Sequence, residues 1–91
     1  ASEALHQLLS MKRVQAVAML HEERSGVEVW MRSKAGVDVG AAAQRIGGGG
    51  HRTAAGALVR GVGLREAARR VIGEMRSAVR GGGDRPGPVD G

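Results

Sequence analysis

Gly47-Gly48-Gly49-Gly50-His51-Arg52-Thr53-Ala54-Ala55-Gly56 is the stretch on which the fold turns. Glycine loses more backbone freedom on folding than any other residue, so a domain keeps such a run only where the chain turns through positive φ or passes close against something. A histidine and an arginine follow directly. Bare amides, a titratable ring and a fixed positive charge together make a candidate anion site. A flexible linker and a histidine hydrogen-bonded in a turn are the plainer alternatives, and the flanking residues must decide.

Upstream, Asp38 suits an N-cap, and Val39, Ala42, Ala43 and Ile46 fall at i, i+3, i+4 and i+7. The spacing predicts a two-turn helix closed by Gly47 as its C-cap. A glycine run that follows a helix C-terminus gets no help from the helix dipole in holding an anion. A phosphate there would need successive loop amides, a nest. No Lys-Ser or Lys-Thr follows the run, which removes the nucleoside-triphosphate loop. A dinucleotide fingerprint needs a strand before the glycines and a long helix directly after, and both are missing. The other histidines, His6 and His21, stand at no ligand-like spacing from His51, which argues against a metal site.

Downstream, Ala54 to Arg60 is bracketed by Gly61 and Gly63 and reads as a short strand. Leu64 to Val79 carries an apolar stripe of Leu64, Ala67, Ala68, Val71, Ile72, Met75 and Val79. Arg65, Arg69, Arg76 and Arg80 lie off it as a solvated face, and Glu66 is placed to pair with Arg70. Further back, Arg13 to His21 is strand-like with both faces covered, and Glu22 to Gly26 reads as a polar turn. Val27 to Ser33 alternates cleanly, with Val27, Val29 and Met31 on one face and Glu28, Trp30 and Arg32 on the other. The two strands make a hairpin. Ser2 to Met11 reads as a short helix, and Gly81 to Gly91 as a disordered Gly/Pro tail.

With 91 residues the chain holds one small domain with a thin core. It has one tryptophan, no phenylalanine, no tyrosine and no cysteine, so aliphatic residues must build the core and a disulfide or zinc-thiolate site is excluded. No apolar run approaches the length of a membrane span, and nothing resembles a signal peptide, so the expected compartment is the cytoplasm. The net charge of +5 favours phosphate-bearing partners. Arg32 becomes interesting only if the sheet brings it beside the glycine run, where its fork would suit phosphate. Trp30 shares its face and could stack on a base, although a lone tryptophan more often packs against a helix.

Arg32-Ser33-Lys34, Val37-Asp38-Val39, and the four glycines with His51 and Ala54-Ala55-Gly56 together resemble the C-terminal DHH-associated domain of DHH-family phosphoesterases. The resemblance runs from about Ser2 to about Arg80 and begins partway into the family's domain. The four-glycine run is more similar to the small-nucleotide branch (oligoribonuclease/pAp-phosphatases and cyclic-dinucleotide phosphodiesterases) than to the RecJ exonuclease. It implies substrate-binding roles for Gly48, Gly49, Gly50, His51, Arg32 and Ser33, and no catalytic or metal-binding residue within this stretch. Manganese is expected in an N-terminal DHH catalytic domain, which is the implied partner in the same chain. Family members commonly carry a serine where this chain has Trp30.

The expected fold is therefore α/β: a small mixed β-sheet, made of the hairpin plus a third strand, with packed helices. The expected division is a partial DHH-associated domain at 1–80 and the tail at 81–91. The expected function is substrate binding for a metal-dependent phosphoesterase acting on short oligonucleotides, nucleotide 3′,5′-bisphosphates or dinucleotides. The alternative is a single-stranded nucleic-acid-binding module of a RecJ-like exonuclease. A third reading is a purely structural or dimerising domain, and a homodimer stays open.

Overall fold

In the computed structural model, which describes residues 2–84, the expected α/β architecture is present. The order is α1 (Ser2–Leu9), β1 (Ala16–Glu23), β2 (Gly26–Ser33), α2 (Val39–Arg45), β3 (Gly49–Gly50), β4 (Ala54–Arg60) and α3 (Leu64–Asp84). The strands form one four-stranded sheet in the order β1-β2-β4-β3, and all three pairings are antiparallel. The fourth strand lies within the glycine run itself.

Several boundaries differ from the sequence reading. β1 begins three residues later than Arg13, because Val14 donates back to the Met11 carbonyl and keeps the chain in a turn. It also runs on through Glu22 and Glu23, which read as turn residues but pair with Val27 and Gly26. Only Arg24 and Ser25 remain to make the connection, the usual economy of a two-residue hairpin. α1 stops at Leu9, where Ser10 returns its hydroxyl to the Gln7 carbonyl at 2.7 Å. α3 continues into the stretch read as a tail, through Asp84; Gly81 is exposed and adds nothing to the apolar stripe that periodicity detects. The rest of that stretch lies outside the described residues.

Residues directly opposite one another in a sheet share a face, so the register sorts the side chains. Val27, Val29 and Met31 of β2 stand opposite Val59, Ala57 and Ala55 of β4, and opposite Glu22, Leu20 and Ala18 of β1. This face carries the core, closed by Val39, Ala42 and Ala43 of α2 and by Ala67 and Val71 of α3. Leu64 and Ile72 belong to the predicted α3 stripe but are exposed. They sit at its margin, and Ile72 borders an apolar groove between α3 and the free edge of β1. The other α3 expectations hold: Arg65, Arg69, Arg76 and Arg80 are exposed, and Arg70 Nε meets Glu66 Oε2 at 3.0 Å.

α1 lies against β1 and β2, and its Leu5 is buried outside the α2–α3 core cluster. α1 therefore covers the β1–β2 half of the opposite face, where Val17, Met19 and Trp30 are each half-buried. The β4–β3 half of that face is left open. No helix among the described residues is long and apolar enough to cross a membrane.

Candidate functional site

The glycine run is built in two parts. Its first two residues finish α2: the Gly47 amide bonds the Gln44 carbonyl at 3.2 Å and the Gly48 amide bonds the Ala43 carbonyl at 2.8 Å. With Ile46 as the C-cap and Gly47 at φ +97°, this is the Schellman arrangement, in which the left-handed residue is glycine because a Cβ would be strained there. The next two residues are β3. Gly49 stands opposite Gly56 and Gly50 opposite Ala55. The His51 amide bonds the Ala54 carbonyl at 2.8 Å, and the Ala54 amide returns to the His51 carbonyl at 3.3 Å, closing a tight turn over Arg52 and Thr53.

This arrangement corrects one expectation about the run. Successive free amides would make a nest, but those of Gly47, Gly48 and His51 are used within the chain. Ladder alternation places Gly49 in the hydrogen-bonded pair with Gly56 and turns the Gly50 amide away from β4, to the outer edge of β3 where Gly40 of α2 packs beside the Gly50 carbonyl. What the run presents to a ligand is bare backbone surface with one edge amide.

The register then brings the candidate residues together on the open face. One row across the sheet is Val17, Arg32, Ala54 and His51. The next is Met19, Trp30, Gly56 and Gly49. Arg32 and Trp30 thus stand on β2, and Gly49 on β3 with His51 just past its end, with only a methyl group and a hydrogen on the strand between. Two interstrand spacings separate β2 from β3, or about 10 Å. The result is a shallow trough floored by Ala54 and Gly56, with the Arg32 fork on one side and the exposed His51 ring on the other. Arg32 is half-buried, and one of its terminal nitrogens donates to the Met31 carbonyl at 2.8 Å, which orients the group. It forms no ion pair among the described residues.

The next row along carries His21, Glu28 and Leu58. Hydrogen bonding with Glu23, then desolvation, then the Glu23 charge raise the Glu28 carboxyl above the usual carboxylate range. The fixed positive charge of the trough thus lies at Arg32, and the row beyond Trp30 pairs the Glu28 carboxyl with His21.

Ser33 plays a different part. It is 5% exposed, on the core face, and its hydroxyl lies 2.6 Å from the Val37 carbonyl and 3.2 Å from that of Arg52. Its amide bonds the Thr53 carbonyl at 3.0 Å. The Val39 amide adds a bond to the Arg52 carbonyl at 2.8 Å, and Asp38 caps α2 through the Ala41 amide at 3.0 Å. Ser33 thus fixes the His51–Ala54 turn against the end of β2 and the start of α2. Ser33→Ala removes the hydroxyl donor to the buried Val37 carbonyl, while the Arg52 carbonyl keeps its bond from the Val39 amide; the expected cost is about 1–2 kcal/mol, read as a lowered urea midpoint with an unchanged slope.

Sequence reasoning missed the floor of the trough, Ala54 and Gly56. Small residues in a strand carry no signal until pairing shows what flanks them.

Comparisons with known proteins give the family and the fold. The DHHA1 domain family matches residues 1–80. Over 57 residues the chain is 42% identical to the bifunctional oligoribonuclease and PAP phosphatase NrnA of Thermus thermophilus, an overlap of 63% of this chain and 18% of that protein. The crystal structure of an exopolyphosphatase-related protein from Bacteroides fragilis superposes with a TM-score of 0.75 at 22% identity, over 88% of this chain and 24% of that one. The chain thus spans less than a quarter of the length of either protein. Its fold is shared with the solved structure, and by its match over residues 1–80 the chain belongs to the DHHA1 domain family.

Proposed function

We propose that this domain holds the phosphate and nucleoside end of a short nucleic-acid substrate for a DHH-family phosphoesterase. The observation that carries the reading is the pair of adjacent rows that sets Arg32 and His51 across a floor of Ala54 and Gly56. Arg32 supplies a planar fork suited to two phosphate oxygens. His51 adds a hydrogen-bond donor from the opposite side. The relative named as an oligoribonuclease and PAP phosphatase supports substrates of this class, namely short oligonucleotides, nucleotide 3′,5′-bisphosphates or dinucleotides.

Among the described residues no group of three or more His, Asp or Glu side chains could hold a metal ion. The chemistry assigned to this chain is binding and orientation, and manganese with the bond-breaking step is assigned to an N-terminal DHH domain. Gly48 and Ser33 contribute by shaping the site, and Gly49, Gly50, His51 and Arg32 by meeting the ligand.

The test is length dependence. Titrating the isotope-labelled chain with a dinucleotide should shift the amides of Gly49 to His51 and the Arg32 side chain, and a twelve-mer should bind with little added affinity. Affinity that climbs with each nucleotide and collapses steeply with salt would instead mark a strand-tracking module. No shift with either ligand would leave only a structural or dimerising role.

A further inference from the structure

Trp30 stands one residue pair along the sheet from Arg32, on the same open face, and Gly56 and Gly49 follow it across β4 and β3. Neither glycine is forced by its own backbone angle, since neither has a positive φ. A Cβ on Gly56 would come to 3.0 Å from the Val29 carbonyl oxygen, so packing within the sheet favours glycine there. One on Gly49 would meet nothing within 4 Å, and no neighbour in the chain requires the bare backbone at that position. The surface beside the indole is therefore flat and unoccupied over two strands. Successive rows on one face are about 7 Å apart, comparable with the span of one ribose between a phosphate and its base. The fixed positive charge of Arg32 draws a phosphate to its own row, one row along the face from Trp30. A planar, neutral group attached to that phosphate is thus within reach of the indole.

We infer that Trp30 is a specificity-determining stacking platform for one nucleobase, seated over the Gly56–Gly49 strip while Arg32 holds the adjoining phosphate. The inference rests on the phosphate-binding reading above and adds to it the preference for a base. α1 covers the β1–β2 half of the face and leaves Trp30 half-buried, so part of the residue remains accessible where the open β4–β3 half begins. Trp30 is the chain's only aromatic residue apart from its histidines, which makes its fluorescence a direct reporter. The competing role is a structural one, in which the indole merely covers Gly56 across the strand pair.

Adenosine 5′-monophosphate and ribose 5-phosphate separate the two. They share the phosphate and sugar and differ by the base. Adenosine monophosphate should quench the Trp30 emission and bind about tenfold or more tightly than ribose 5-phosphate, the range expected for one base on one aromatic ring. Trp30→Ser should bring adenosine monophosphate down to the affinity of ribose 5-phosphate. Equal affinities in the unaltered chain, or a preference for the base that survives Trp30→Ser, would overturn the inference. The first comparison needs no variant, so a Trp30→Ser chain that failed to fold would not remove the test. If ribose 5-phosphate shifts the amides of Gly49 to His51 and the base adds nothing, only the stacking platform fails. If neither compound shifts them, the phosphate-binding reading fails with it.

Discussion

Gly48→Ala is expected to lower stability by about 3 kcal/mol, and Gly49→Ala, one residue along, to leave it within about 1 kcal/mol of the parent. The contrast follows from what each new methyl group would meet. On Gly48 it would fall onto the Gly56 carbonyl oxygen and within 2.6 Å of the Ala57 Cα and Cβ. Those neighbours are backbone of β4 and a methyl group fixed directly to it, so relief requires the strand, which also pairs with β2, to move. A loss of that size is a large part of the total for a domain this small. On Gly49 the methyl group would stand in open space on the trough face, at an ordinary backbone angle. Paired urea melts decide the matter. Equal losses from the two changes would show that the assigned register of β3 is wrong. Gly49→Ala should still weaken dinucleotide binding, because the obstruction it introduces faces the ligand.

The second large effect concerns affinity. Arg32→Ala should reduce dinucleotide binding by about 10- to 100-fold, the range for losing charge-assisted hydrogen bonds to a phosphate, while the urea midpoint hardly moves. The side chain is half-buried on the open face and has no ion-pair partner among the described residues, so its removal strands no charge. Arg32→Lys keeps the charge but not the planar fork, and should restore only part of the loss. Titration calorimetry at two salt concentrations checks both variants. An Arg32→Ala chain that bound as tightly as the parent would remove the arginine from the site.

Much of this fold was legible because the alternation of β2 and the helical spacing around Val39 to Ile46 are strong local signals. Asp38 as the cap of α2 and the glycine at the end of that helix were readable for the same reason. The hairpin turn was read too long because Glu22 and Glu23 look like turn residues, although exposed ends of edge strands tolerate charge equally well. The candidate site was legible as a set of residues but not as a shape. Composition could not show that the amides of Gly47 and Gly48 are consumed by the helix before them. Nor could it show that Ser33 faces the core while Arg32 faces the trough, until strand direction and register fixed alternate residues to opposite sides. Ala54 and Gly56 acquire meaning only from the larger groups across the strands on either side of them.

The anchoring of the His51–Ala54 turn has a thermodynamic consequence for association. The bonds from Ser33, Val39 and Gly48 order the loop in the free protein, so a ligand meets a preorganised surface and need not immobilise four glycines itself. The entropic cost of that order is charged to folding. Affinity at the trough is thereby tied to the integrity of α2, whose Ala43 and Gln44 carbonyls hold the start of the glycine segment and whose Val39 amide holds the turn that follows it.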